Sequence, residues 1–171
     1  MPRTTKQYVW SPGDNAADMY PFLVLSARYT APERIDELLG LLRTEISLTT
    51  RIDGLPDWFS IRERRFQHAK PDIHRIIFAA TEYAKDGLNP LIELDGPAPW
   101  ASRMRQLADG VIKHSPVDSD FGKLPSNSTE VNGELLQVLT RFYFLTGEVR
   151  YLEFAERIAD AYCMEVLPRG G

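Results

Sequence analysis

Thr129-Glu130-Val131-Asn132-Gly133-Glu134-Leu135-Leu136 opens an apolar run that closes at Leu145-Thr146-Gly147, and Val149-Arg150-Tyr151-Leu152-Glu153 starts a second run at once. The first run is apolar over a wide surface, through Phe142-Tyr143-Phe144-Leu145, so it reads as a helix covered on most sides. In the second, Leu152, Ala155, Ile158, Ala159 and Tyr162 form one stripe, with Glu153, Glu156, Arg157 and Asp160 around it. That is an amphipathic helix with one covered face. The spacing predicts helices over 129–145 and 149–166, joined by a tight turn at Thr146-Gly147 and stopped by Pro168. A covered helix followed by an amphipathic one is a helical hairpin with an inner and an outer member.

The same alternation runs upstream. A helix over 15–29 contains Tyr20-Pro21-Phe22-Leu23-Val24-Leu25 and follows the turn-rich Ser11-Pro12-Gly13-Asp14. A helix over 32–48 has its stripe at Ile35, Leu38, Leu39 and Leu42; Thr30 with Glu33 fits a capping box, and Pro32 suits a first turn. A helix over 71–85 carries Ile76-Ile77-Phe78-Ala79-Ala80 and stops at Asp86-Gly87, and an amphipathic helix follows over 99–113. No segment reads as a strand. Asp14, Asp72 and Glu130 open the three inner helices at equal intervals of 58 residues. The chain is therefore expected to be all-α, built from three repeated hairpin units at 14–71, 72–129 and 130–171.

Loop lengths give the array a polarity. Inner helices pass to outer ones through Thr30-Ala31, 87–98 and Gly147-Glu148, whereas the returns at 49–70 and 114–128 are long. In an antiparallel stack the long loops share one rim with the inner-helix N-termini, and long loops on a rigid scaffold commonly carry function. That rim holds Trp10, Asp14, Asp18 and Tyr20; Trp58 with Arg62 and Arg64; His68, Asp72 and His74; then Glu130, Asn132 and Glu134. Carboxylates, amides and aromatics in one place suit a sugar, whose hydroxyls need directed hydrogen bonds and whose C–H faces stack on rings. Asp18, Asp72 and Glu130 are the candidate catalytic carboxylates. Trp10, Asp14, Tyr20, Trp58, His68, Asn132 and Glu134 are the candidate substrate-binding residues. Glycoside hydrolysis uses two carboxyl groups about 5–5.5 Å apart for retention, or about 6.5–9.5 Å apart for inversion. Each residue also has a plainer role. Asn15 with Asp18, and Asn127 with Glu130, fit capping boxes, and an acid in a first turn is favoured by the helix dipole whatever the function. The tryptophans can equally plug the loops onto the core.

Composition narrows the class. The 171 residues are 43% hydrophobic and 26% charged with a formal net charge of -4, which suits one globular domain and lacks the basic footprint of a nucleic-acid binder. One cysteine, Cys163, makes no internal disulfide, and the three histidines show no zinc-ligand spacing. No run approaches the roughly 20 apolar residues of a membrane span, and the N-terminus lacks the apolar core of a signal peptide. A cytoplasmic protein without metal or cofactor is expected. There is no GxxxxGK[ST], GxGxxG or GxSxG sequence, so nucleotide binding and serine hydrolysis gain no support.

Three stretches carry a resemblance: Trp10-Ser11-Pro12-Gly13-Asp14-Asn15-Ala16-Ala17-Asp18-Met19-Tyr20-Pro21-Phe22, the segment Thr81-Glu82-Tyr83-Ala84-Lys85-Asp86-Gly87-Leu88, and the hairpin from Glu130 through Thr146-Gly147-Glu148-Val149-Arg150-Tyr151-Leu152-Glu153. Together they resemble bacterial members of the six-hairpin glycosidase-like superfamily. The resemblance implies an (α/α)6 toroid with a sugar-binding mouth at the inner-helix N-termini, of which this chain spans about half. It transfers no catalytic residue. A half toroid leaves apolar edges open, so a missing second half or a homodimer partner is expected. Three functions follow: a glycoside hydrolase-like protein acting through rim carboxylates; a non-catalytic helical-repeat binding module; and a polysaccharide lyase-like protein, with Tyr20 or His74 as base and Arg62 or Arg64 neutralising a uronate.

Overall fold

The computed structural model describes residues 9–10, 19–60, 63–66, 72–98 and 100–170. Among the described residues the chain is all-α apart from one small sheet. In order come β1 (Val9–Trp10), α1 (Met19–Thr30), a 3-10 turn (Pro32–Arg34), α2 (Ile35–Thr49), β2 (Phe59–Ser60), β3 (Arg65–Phe66), α3 (Ile73–Glu82), a π-helical turn (Tyr83–Leu88), α4 (Asn89–Asp95), α5 (Trp100–His114), α6 (Thr129–Thr146) and α7 (Val149–Ala161). A π-helical turn (Tyr162–Val166) and a 3-10 turn (Leu167–Arg169) follow α7.

The α6–α7 hairpin follows its sequence signals closely. Ser128 caps α6 by accepting from the Val131 N–H at 3.4 Å, and Gly147 ends it with its N–H on the Tyr143 carbonyl at 2.7 Å. The cap is thus Ser128 rather than an Asn127–Glu130 box. The Thr30–Glu33 box is also not formed. Thr30 still belongs to α1 and donates its hydroxyl to the Ser26 carbonyl at 2.9 Å, and the turn at Pro32 has no side-chain cap.

Two further expectations fail. The first concerns strands: β1, β2 and β3 form an antiparallel sheet in that order, with Trp10 opposite Phe59 and Phe59 opposite Phe66. Two-residue strands are too short to display a period, so no alternation announced them. The second is the stop at Asp86-Gly87. The helix runs on through the π turn into α4, because its apolar stripe continues through Tyr83, Ala84, Leu88, Leu91 and Ile92, all buried. Pro90 has no N–H and its ring crowds the carbonyl four residues back. The widened π turn just before it alters the bonding register there, so the helix tolerates the proline.

Cross-contacts fix how the helices stack. Lys85 meets Glu134, Asn89 meets the Val138 carbonyl, and Glu93 meets Arg141, so the α3–α4 rod and α6 advance in the same direction. Arg28 on the Leu94 carbonyl places the end of α1 beside the end of α4. The second set agrees. Arg43 lies over Trp100, Arg105 bonds Glu148, and Asp109 bonds Tyr151, so α2, α5 and α7 also run alongside one another. One continuous apolar cluster joins both sets, centred on Tyr83, Trp100, Phe142 and Tyr151. Its burial supplies most of the stability; the exposed ion pairs add little.

Candidate functional site

Arg75, Phe78 and Glu82 lie three and four residues apart, which puts them on one face of α3. Arg75 and Phe78 are exposed there, and Glu82 is half-buried. The first long loop reaches this face: Trp58 packs against the core with one side and takes the Arg75 guanidinium over its ring at 4.8 Å. Below it the π turn sets Lys85 between two helices. Its Nζ lies 3.1 Å from Glu82, 2.5 Å from Glu134 on α6, and 3.4 Å from Asp86.

Three carboxyl groups around one ammonium leave an excess of negative charge. Burial raises the Glu82 pKa, and hydrogen bonding and repulsion from Glu134 raise it further, against the opposing pull of Lys85. Burial works to lower the Lys85 pKa, but its bonds to Glu134 and Glu82 outweigh that and raise it, so the lysine stays charged. Glu134 Oε2 is buried without a hydrogen-bond partner, an acceptor that costs free energy unless something donates to it. Chemically, Glu82 holds a proton more readily than a free glutamate does, beside an ammonium that stays charged.

The structure distributes the sequence candidates unevenly. Glu134 enters this cluster. Trp58 stands at its upper end, as the platform for Arg75. Asp72 is exposed and caps α3, accepting from the His74 N–H at 3.0 Å. Glu130 is exposed in the first turn of α6, and His74 is exposed in the first turn of α3. Asn132 faces the second long loop instead, exchanging two hydrogen bonds with the Ser126 backbone at 3.1 and 2.7 Å. Arg64 is exposed at a positive φ of 51°. Trp10 lies in β1 and Tyr20 in α1, but their side chains lie outside the described residues, as do Asp14, Asp18, Arg62 and His68 entirely.

A helix that stops at Asp86-Gly87 leaves Glu82 and Lys85 in its last turn, with no reason to meet a neighbour. The signal was available: the apolar stripe past Gly87 says the helix continues, which brings residue 85 level with its neighbour. An apolar groove of about 240 Å³ lies elsewhere, between α6 and α7, lined by Gly133, Leu136, Ala159, Tyr162 and Cys163. On α6 these positions face away from α3, and among the described residues no further helix packs there. Among the described residues no group of His, Cys, Asp and Glu is arranged to hold a metal ion, and no helix is long and apolar enough to cross a membrane. No family model matches the chain, and no curated protein or solved structure matches it either.

Proposed function

We propose that the face shared by α3 and α6 binds a carbohydrate and that the protein is glycoside hydrolase-like. The observation that carries this reading is the pair Glu82 and Glu134, held on one lysine next to the exposed Phe78. Both carboxylates place an oxygen on the same ammonium, at 3.1 and 2.5 Å, and retaining glycosidases likewise use a closely spaced pair, about 5–5.5 Å apart. Glu82, whose pKa is raised, is the proton donor to the leaving oxygen. Glu134, charge-compensated by Lys85, is the nucleophile. Phe78, 41% exposed, offers ring surface for sugar C–H faces. The parallel stacking of α1, α3–α4 and α6, together with the apolar groove between α6 and α7, supports half of an (α/α)6 toroid, completed by further sequence or a second copy.

One observation favours a second reading. Lys85 occupies the space between the two glutamates, as expected of a binding module that performs no chemistry. Isothermal titration with a panel of neutral and acidic oligosaccharides, on the native chain and on E82Q and E134Q, separates the two. Hydrolysis lost in both variants with binding retained supports the enzyme. Binding without turnover in all three proteins supports the module. No binding to any sugar discards both.

A further inference from the structure

Glu45 stands at a position of the α2 stripe that should be apolar, between Leu42 and Thr49, and it is completely buried. Its partners come from three elements. Tyr83, at the start of the π turn, donates its hydroxyl to Oε2 at 2.9 Å. Thr49, on α2 itself, lies with Oγ1 3.3 Å from Oε1. Arg103, on α5, is the charged group that faces it among the described residues, and it acts through space without a hydrogen bond.

Proton counting says which forms of Glu45 this arrangement admits. The Thr49 hydroxyl has one hydrogen, and its shorter contact is 2.9 Å to the Glu45 backbone carbonyl. With that hydrogen shared toward the backbone carbonyl, the hydroxyl oxygen is also free to accept from a protonated Oε1, so the 3.3 Å contact fits a neutral carboxyl as well as an ionised one. A neutral carboxylic acid satisfies the geometry: Oε1–H donates to Thr49, and Oε2 accepts from Tyr83. The guanidinium favours the neutral form. Arg103 is only 5% exposed, yet it donates from Nη1 to the Gly54 carbonyl at 2.7 Å and leaves Nε and Nη2 unpartnered. A buried guanidinium beside an ionised carboxylate would form the charge-assisted pair instead. Burial also pushes the Glu45 pKa up to about 7, against the opposing effects of Tyr83, Thr49 and Arg103.

Gly54 is the tip of the first long loop. It sits at φ +84°, pressed so closely on α5 that an added Cβ would lie 2.1 Å from the Gln106 carbonyl oxygen. Arg103 ties that tip down. We propose that Glu45 and Arg103 form a proton-controlled latch on this loop: with Glu45 neutral the guanidinium holds the Gly54 carbonyl, and with Glu45 ionised it turns to the carboxylate and frees the tip. The proton leaves to solvent, and the two idle Arg103 donors gain a partner. The loop carries Trp58, so the latch would control how firmly the upper end of the α3 face is built.

Hydrogen exchange reads this directly. The Arg51, Gly54 and Asp57 amides are bonded within the loop or to the end of α2, and the Val117 and Leu124 amides pair in the second loop as a reference. After correction for intrinsic chemistry, exchange at Arg51, Gly54 and Asp57 should quicken about tenfold or more between about pH 5.5 and 8.5, while the reference amides stay level. E45Q, permanently neutral, should remove the pH dependence. The native chain gives an independent measure through carbon NMR titration of the Glu45 side-chain carboxyl. A Glu45 that titrates in the ordinary carboxylate range overturns the latch, whether or not E45Q folds. So does a loop whose exchange profile is the same in the native chain and in E45Q.

Discussion

The two long loops are built alike and held differently. Each leaves an outer helix and closes on an isolated antiparallel pairing, Thr50 with Pro56 in the first and Val117 with Leu124 in the second. Each turns on a glycine at positive φ, Gly54 or Gly122, and each then buries a Leu-Pro pair, Leu55-Pro56 or Leu124-Pro125. The sequence repeats with the structure: Gly54-Leu55-Pro56 corresponds to Gly122-Lys123-Leu124-Pro125. The fastenings diverge. The first loop relies on buried charge. Asp57, fully buried, takes Arg51 at 2.9 Å and the Trp58 N–H at 2.7 Å, while Arg103 grips Gly54. The second buries no charge: Asn132 holds the Ser126 backbone, Ser119 holds the Gly122 carbonyl, and the carboxylate of Glu165 takes the Asp120 N–H at an exposed site. Its charged pairs lie outside, where water screens them. The same loop shape can thus be made sensitive or indifferent to protonation by the choice of fastener.

The largest expected difference is at the two glycines. G54A adds a methyl against backbone, which cannot rotate away, in a conformation unfavourable for any other residue. Left-handed strain and overpacking together should cost about 4 kcal/mol. G122A shares the strain, but its nearest neighbour is the flexible Arg157 side chain at 3.4 Å, so about 2 kcal/mol is expected. Urea unfolding of both variants tests this, and equal losses would mean the first loop is not pressed onto α5 as described.

Next comes pH. Glu45 has a folded pKa raised to about 7 from 4.5, so the folded state binds its proton more tightly. That contribution is fully present below about pH 4.5 and is lost as pH rises through 7. It amounts to about 3 kcal/mol for a group so completely buried. The stability of E45Q relative to the native chain should therefore climb by about that much across the same window. A constant difference would show that Glu45 titrates alike in the folded and unfolded chain.

A third comparison sets fastener against fastener. D57N keeps an oxygen for the Trp58 N–H but loses its charge toward Arg51, which should cost about 2 kcal/mol, the scale of hydrogen bonds to charged groups. N132A removes two neutral bonds to a partly exposed segment and should cost about 1 kcal/mol. Chemical denaturation at neutral pH ranks them, and the reverse order would undo the contrast drawn between the loops.

The sequence disclosed these regions unequally, for physical reasons. The α6–α7 hairpin was legible because its apolar spacing, turn glycine and start are all local. The stripe Ile35, Leu38, Leu39 and Leu42 stops short of Glu45, although Leu38, Leu42, Glu45 and Thr49 lie on one helical line and the charge there is the signal it passes over. The Glu82–Lys85–Glu134 cluster was not. Sequence spacing placed Asp14, Asp72 and Glu130 at equivalent positions, but side chains meet across neighbouring helices, and that register depends on how a π turn carries α3 past Gly87. The sheet was illegible because its strands are too short to show a period.

The smallest effect closes the comparison. Lys123 and Asp118 approach to 2.6 Å in the second loop, closer than Arg51 and Asp57 in the first, yet both are largely exposed. Distance alone would rank the second loop's pair as the stronger. Burial ranks it far weaker, because water and mobile ions screen an exposed pair and ordering two long side chains offsets most of the attraction. D118A should change stability by about 0.5 kcal/mol or less, and raising the salt concentration should erase even that. The same salt should barely alter the cost of D57N. If D118A proves as damaging as D57N, exposure is not what separates the two loops, and the distinction between a charged and a neutral fastening loses its physical basis.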